Sequence, residues 1–226
     1  MKRIVGLLGL FFLLSGYTNL FSQVTDVNNQ TYKTVKIGKM VWMAENLNVA
    51  FYRNGDSIPQ ARTNEEWQRY GKEKKGCWSY YKYDSSDAVI YGKLYNWYSV
   101  TDPMGLAPAG WRVASFEDWD KLIVTLKGKE TAGKKMKSTD GWEVNTGTNE
   151  SGFTAKPGGL IDRISIRKNK SALWWCSSEQ AISYQKKNNP VPDRLAWFFE
   201  LSAVFDKVLS DRGEKSNGFS VRCVKD

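Results

Sequence analysis

The sequence predicts an α+β fold in a single domain, with mostly antiparallel strands, two or three short helices and a long irregular excursion. Two capping boxes mark the starts of helices, because Thr63 precedes Glu66 by three positions and Ser115 precedes Asp118 by three. Apolar side chains at i, i+3 and i+4 within residues 91–100 are typical of one helix face. Segments with a period of two lie between these helices and favour strands.

The first elements are a hairpin and a short helix. Residues 32–43, YKTVKIGKMVWM, predict two strands joined at Gly38-Lys39, because glycine in the first position of a two-residue loop favours a type II′ turn. The first capping box predicts a helix over residues 64–71. The aromatic stretch CWSYYKYD, residues 77–84, predicts a strand.

Two more helices are predicted, over residues 92–100 and 115–127. Leu94, Trp97 and Tyr98 share one face of the former. The latter begins after the Ser115 cap and carries an apolar stripe that includes Trp119. We therefore expect Trp119 to lie in the core, and we expect Trp111, just ahead of the cap, to be structural as well.

The last part of the chain alternates between loops and strands. Residues 129–194 are rich in Gly, Ser, Asn and Lys and form the irregular excursion. Three strand-like segments follow, RLAWFFELS, VFDKVLS and GFSVRCVKD. We expect the first two to pair with each other around Ala203.

The N-terminus has the pattern of a secretory signal. Residues 1–23 begin with Lys2 and Arg3, continue with an apolar run and end near the small Ser22. The run LLSG lacks the cysteine that would follow it in a lipoprotein. We expect an exported, unlipidated protein with one domain over residues 24–226, located in the periplasm, at the outer surface or outside the cell.

Composition excludes several classes of function. The chain has no histidine, so neither a Ser-His-Asp or Cys-His catalytic site nor a His-ligated metal is expected. Its 33 basic residues exceed its 24 acidic ones, but they fall in scattered clusters. With a secretory signal, this pattern argues against nucleic acid as a partner. No later apolar run is long enough for an integral membrane segment.

Six ordered motifs resemble one family. They are TVKIGKMVWMAENLNV, YGKLYNWYSV, GLAPAGWRVASFEDWDKL, NESGFTAKPGG, WWCSSE and GFSVRCVKD. Together they resemble the Fibrobacter succinogenes major paralogous domain of exported proteins in Fibrobacteres and Bacteroidetes. That family is similar to the C-type-lectin-like fold in its formylglycine-generating-enzyme variety. The resemblance implies that the N- and C-terminal strands pair and that ligands bind on the excursion, within residues 140–195. It implies no biochemical activity.

The three cysteines are Cys77, Cys176 and Cys223. In an oxidising compartment they would give one disulfide and one remaining thiol, and the residues alone leave three pairings open. The resemblance implies a Cys77–Cys223 disulfide, because the family commonly has serine where this chain has Cys176.

These observations favour a non-catalytic binding module for an extracellular glycan or protein. Four rings outside the helical stripes are candidates for ligand stacking: Trp142, Trp174, Trp175 and Tyr184. The alternative is that these rings fill the core, with Trp174 and Trp175 on a strand, one pointing inward and one outward. No carboxylate pair stands out as catalytic, so an enzyme is the less favoured hypothesis.

Asn149 and Glu150 are further candidates for ligand contacts, and they leave calcium-assisted binding as an alternative. Equally, these two residues would cap a turn before Ser151-Gly152. No cofactor and no other metal is expected. A different alternative is a structural component of a surface assembly, which exposed apolar patches beside an open sheet edge would favour.

Overall fold

The computed structural model describes residues 22–179 and 192–226. The described strands are β1 Gln23–Thr25, β2 Thr31–Ile37, β3 Met40–Met43, β4 Trp78–Ser79, β5 Leu94–Tyr95, β6 Trp111–Val113, β7 Leu160–Ile161, β8 Ser165–Ile166, β9 Ser171–Trp175, β10 Leu195–Ser202, β11 Val208–Glu214 and β12 Cys223–Lys225. The described helices are α1 Asn64–Lys72, α2 Ala88–Tyr91, α3 Trp97–Val100, α4 Phe116–Thr125 and α5 Lys129–Met136. The α+β prediction is confirmed. The predicted signal, residues 1–23, lies almost entirely outside the described residues.

The largest described sheet joins both ends of the domain, in the order β1-β2-β3-β12-β6. The β2–β3 hairpin turns at Gly38-Lys39, as predicted. Gly38 has a φ of 62°, and it is the only one of the two turn residues with a positive φ, as a type II′ turn requires. Strand β12 pairs antiparallel with β3, with Val224 opposite Trp42, so the terminal strands do pair.

A second sheet has the order β11-β10-β9. Strands β10 and β11 form the expected antiparallel hairpin, in which Leu201 lies opposite Val208. The excursion supplies β9, whose Ser171 lies opposite Ser202 of β10. Two smaller antiparallel pairs, β4 with β5 and β7 with β8, complete the described sheets.

The capped helices form where predicted. The Thr63 hydroxyl accepts a hydrogen bond from the Glu66 N–H at 3.3 Å, and α1 follows. Ser115 and Asp118 form the complete reciprocal capping box at the start of α4. Across the described ranges, no helix combines the length and the apolar character needed to span a membrane.

Three predicted elements differ from the structure. The prediction of one helix over residues 92–100 is wrong. Leu94 and Tyr95 pair with β4, and only α3 is helical, beginning after the Asn96 cap. The strand over residues 77–84 is also shorter than predicted, since only β4 is extended and a 3₁₀ turn follows. Helix α5 lies within the excursion that was expected to be irregular, and its lysine-rich sequence carries few apolar side chains to indicate a helix face.

Strand β9 separates two hydrophobic cores. Core A contains Ala172, Trp174 and the buried face of α4, and core B contains Leu173 and Trp175. Alternate side chains of a strand point to opposite faces, so this strand supplies rings to both cores. The alternative placed both rings on a strand, as the structure has them, but neither points outward, because both are fully buried.

Core A is built around Trp119. Its ring stacks on Phe199 with centroids 5.0 Å apart and lies 5.3 Å from the Trp42 ring and 5.5 Å from the Trp174 ring. Trp119 and Trp111 are both buried, as predicted for structural rings. Aromatic packing of this kind supplies a large share of the stabilisation of a small domain.

Candidate functional site

The described rings nominated from the sequence are buried and cannot stack on a ligand in this structure. The indole N–H groups donate within the protein, from Trp142 to Ala155 O at 3.2 Å, from Trp174 to Asn46 Oδ1 at 2.9 Å and from Trp175 to Tyr95 O at 2.9 Å. The interpretation of Trp142, Trp174 and Trp175 as ligand platforms is therefore corrected to core residues. Tyr184 lies outside the described residues.

Asn149 and Glu150 form a turn. Asn149 has a φ of 51°, and its Oδ1 accepts a hydrogen bond from the Thr154 N–H at 2.8 Å. The Glu150 N–H donates to Thr148 Oγ1 at 3.4 Å. These contacts support the turn-capping alternative. Within the described ranges there is no cluster of three or more His, Cys, Asp or Glu side chains that could hold a metal ion.

The expected Cys77–Cys223 disulfide is absent, since Cys77, Cys176 and Cys223 are all described and all are free, buried thiols. Cys77 packs in a small cluster with Trp67, whereas Cys223 lies in core B. The two residues belong to different hydrophobic clusters, which is consistent with the absence of the pairing taken from family positions. Burial raises the pKa of each thiol, that of Cys223 to about 12.

A cleft of about 510 Å³ with a mixed polar and apolar lining lies elsewhere, at the start of β2. One wall comes from residues 30–33, 44–46 and 48, and a second wall comes from residues 88–90 of α2 and Gly92. Asp140, Thr154 and Lys156 close a third side, and Arg222 lies at the floor. Clefts of 300–1,000 Å³ are typical of ligand sites. We treat this cleft as the candidate site.

The floor is an extensive hydrogen-bond network around Arg222. This arginine is only 1% exposed. Its Nε donates to Asn46 Oδ1 at 2.7 Å, and Nη1 donates to Met43 O at 2.9 Å and to Phe153 O at 2.7 Å. Its Nη2 donates to Thr154 O at 3.1 Å. The guanidinium also lies 4.3 Å from the centroid of the Phe153 ring. Arg222 thus holds three segments of the cleft together.

Asn46 connects this floor to the α2 wall. Its Nδ2 donates to Tyr91 O at 2.8 Å and to Ser220 Oγ at 3.2 Å. Gly92 follows with a φ of 71°, and a Cβ there would lie 2.9 Å from Leu47 O. Glycine is therefore needed for the chain to pass this closely behind the wall.

The polar wall is held in place from behind. Tyr32 donates its hydroxyl proton to Asp26 Oδ2 at 2.7 Å and accepts from the Asn48 N–H at 3.1 Å. The buried ammonium of Lys93 donates to Asn48 O at 2.6 Å and to Asn48 Oδ1 at 2.8 Å, and it lies 4.5 Å from the Trp78 ring. Burial lowers the pKa of Lys93 to about 8. Asn48 is consequently fixed toward the cleft.

The two long walls differ in chemistry. The polar wall carries Gln30, Thr31, Lys33 and Glu45, and the Glu45 carboxylate accepts a hydrogen bond from the Lys33 N–H at 2.8 Å. The α2 wall is apolar and exposed, since Val89 is 96% and Ile90 is 55% exposed. A ligand in the cleft would meet both hydrogen-bonding groups and hydrocarbon.

Sequence reasoning missed Arg222, Asn46 and Lys93. Each stands within one of the motifs that carry the family resemblance, SVRCVKD, AENLNV and YGKLYNW, so the motifs held a signal. The cleft itself has no local signal, because its walls come from segments far apart in the chain.

The fold and the cleft define a class of protein, an α+β module of mostly antiparallel strands with two aromatic cores and a cleft between loops. Residues 35–225 match the model of the Fibrobacter succinogenes major domain, and the chain belongs to this family. A comparison with curated proteins and a comparison with solved structures each found no match.

Proposed function

We propose that this protein is an exported, non-catalytic module that binds carbohydrate in the cleft. The observation that carries the proposal is that one cleft of about 510 Å³ is lined both by hydrogen-bonding groups and by the exposed apolar side chains of α2. A sugar ring has hydroxyl groups at its edges and C–H groups on its faces, so it matches both walls. Loops on a rigid scaffold are common positions for recognition.

Two features of the sequence support the other parts of the proposal. The signal-like residues 1–23 support export. The absence of histidine removes the commonest general base, which supports binding without turnover. The candidate site is thus moved from the rings of the excursion to the cleft, although Asp140, Thr154 and Lys156 still come from residues 140–195.

A glycan array followed by calorimetry tests the proposal. Gln30→Trp should place a large ring in the cleft and abolish binding. The fold should tolerate the change, because Gln30 is exposed and its side chain accepts only a weak hydrogen bond at 3.4 Å. Asn28→Trp is the matched control, since this exposed residue of the same turn lies outside the cleft lining. Binding that survives Gln30→Trp would move the site elsewhere. Binding to peptides alone, or turnover of an arrayed glycan, would overturn the proposal.

The apolar wall has its own variant. Val89→Asp should weaken glycan binding, because it places a hydrated charge where the C–H face of the sugar would pack. The side chain is almost fully exposed, so the fold should tolerate the change. Val124→Asp, at an exposed position of α4 outside the cleft lining, is the control and should leave affinity unchanged.

A second candidate function, a component of a surface assembly, is favoured by one observation. Val144, Val204 and Phe205 are exposed apolar side chains near the turn between β10 and β11. Asn145 N–H donates to Ala203 O at 3.1 Å, which brings the two valines to the same region. In the described sheet β11 is an edge strand. Exposed patches beside an open edge are typical of association surfaces.

The same edge also carries a protective feature. The Arg212 N–H, which faces away from β10, donates to its neighbour Asp211 Oδ1 at 2.8 Å. Charged groups at an edge oppose strand pairing.

Sedimentation velocity over a range of concentrations tests this second function, with self-association expected to be lost in Val204→Asp and retained in Val124→Asp. A monomer at all concentrations would contradict assembly through copies of this chain.

A further inference from the structure

We infer that the cleft selects acidic sugars, binding a glycan whose carboxylate lies toward Arg222 and Lys33. This inference rests on the proposed carbohydrate function and deepens it by naming the class of ligand. It is carried by the arrangement of charges around the cleft.

Arg222 is a buried cation without a carboxylate partner. Its four hydrogen bonds go to an amide oxygen of Asn46 and to three backbone carbonyls, all neutral acceptors. An arginine has five N–H donors, so one N–H of Nη2 has no acceptor among the residues that the structure describes. Nη2 bonds to Thr154, which also lines the cleft. The remaining donor is therefore next to the space that a ligand would occupy.

The environment of Arg222 makes its positive charge costly. Burial disfavours the charged guanidinium and lowers its pKa to about 9, although the charge of nearby Glu45 opposes this shift, and the group stays charged near neutral pH. Carbonyl dipoles and the face of the Phe153 ring compensate for part of that cost. A ligand carboxylate would supply the opposite charge in a region of low dielectric, where the attraction is weakly screened.

The rest of the lining has a surplus of positive charge. The charged lining residues are Lys33, Lys156 and Arg222 against Glu45 and Asp140. Lys156 and Asp140 neutralise each other in an ion pair. Two cations, Lys33 and Arg222, then remain against a single carboxylate, that of Glu45, which accepts a hydrogen bond from the backbone N–H of Lys33. The remaining charge of the cleft is positive, and an anionic group is the complement.

Matched ligands test the inference. Trigalacturonate and triguluronate would be compared with their methyl esters by calorimetry, since each ester keeps the sugar and loses the charge. The acids should bind about tenfold more tightly, as expected for one charge-assisted contact. Raising the salt concentration should weaken only the acids.

Variants locate the charge in the cleft. Lys33→Gln should lower affinity for the acids about two- to fivefold, the range for an exposed ion pair, with no change for the esters. Glu45→Gln should raise affinity for the acids because it removes a repelling carboxylate. Lys36→Gln, on the same strand but outside the cleft lining, is the control and should have no effect. These surface changes avoid Arg222, whose loss would disturb folding.

The outcomes separate this inference from the proposed function. Esters that bind as tightly as the acids, with binding abolished by Gln30→Trp, would overturn the acidic specificity and keep carbohydrate binding. Acids whose affinity is indifferent to both Lys33→Gln and Glu45→Gln would also overturn it. Loss of all binding on the glycan array would overturn both.

Discussion

Arg222 and Asn46 are joined by a hydrogen bond of 2.7 Å from Nε to Oδ1, although 176 positions separate them in the chain. The same Oδ1 accepts the Trp174 indole N–H at 2.9 Å. One amide oxygen therefore connects the segment before β12, the segment after β3 and strand β9. The cleft floor depends on this small group.

Asn46→Ala should destabilise the protein by about 3 kcal/mol, because buried donors of Arg222 and Trp174 would both lose their acceptor. Chemical denaturation measures the change in the free energy of unfolding. Asn28→Ala, in the exposed turn after β1, is the control and should lie within about 0.5 kcal/mol of wild type. An equally small effect for Asn46→Ala would show that the network adds little to stability.

Trp119→Ala should cost about 3–5 kcal/mol, because it leaves a large cavity among the rings of core A. The fully buried indole contacts Trp42, Trp174 and Phe199. Val124→Ala, at an exposed position of the same helix, should be nearly neutral. The comparison is made by urea denaturation, and a neutral Trp119→Ala would contradict the assignment of this ring to the core.

Ser115→Ala should cost about 1 kcal/mol by removing the side-chain cap of α4. The Ser115 hydroxyl accepts the Asp118 N–H at 3.2 Å. Ser115→Gly should cost only a few tenths of a kcal/mol, because glycine leaves the backbone free to be solvated. Thermal denaturation of both variants would reveal the ranking, and the reverse order would be inconsistent with capping.

Asp118 should make stability depend on pH in the acid range. Burial raises the pKa of its carboxyl, but hydrogen bonds from Arg112 and Ser115 outweigh burial and hold the pKa below its ordinary value. A carboxyl with a lowered folded-state pKa stabilises the protein above its unfolded pKa of about 3.9, and this contribution is lost as the pH falls further.

The measurement compares wild type with Asp118→Asn from pH 7 to pH 3. The wild type should be the more stable at pH 7, and the difference in the free energy of unfolding should shrink below about pH 4. If the free energies of unfolding of wild type and Asp118→Asn change in parallel with pH, the ionisation of Asp118 does not contribute to stability.

The three thiols should be unreactive in the native protein and fully reactive once it unfolds. All three are buried, and burial raises the pKa of each, so little thiolate is available at pH 8. After maleimide labelling in urea without reductant, mass spectrometry should show three modified cysteines. Modification of one cysteine alone would restore the disulfide expectation.

Local signals predicted the elements that are decided locally. A glycine in the first position of the turn gave the β2–β3 hairpin, and Ser115 gave the start of α4. An apolar stripe on that helix was enough to place Trp119 in the core. In each case the deciding contacts lie within a few residues of one another.

Features decided by distant contacts were not predictable from one sequence. Trp174 and Trp175 gave no sign that a second layer covers the outer face of β9. Leu94 looked helical by spacing, but its pairing with Ser79 determined its conformation. Arg222 became part of a site only because Asn46 and Thr154 meet it in space.

The position of β9 between cores A and B also limits changes in chain length. Because side chains alternate with a period of two, inserting or deleting one residue in β9 would send every following ring to the opposite core. In a strand with one solvated face, the same shift would move the apolar side chains into solvent and the polar ones into a single core. Here Trp174 would enter a space shaped for Leu173 or Trp175, and both cores would be misfilled at once. Substitutions in this strand would disturb one core at a time, whereas a single insertion would disturb the whole domain.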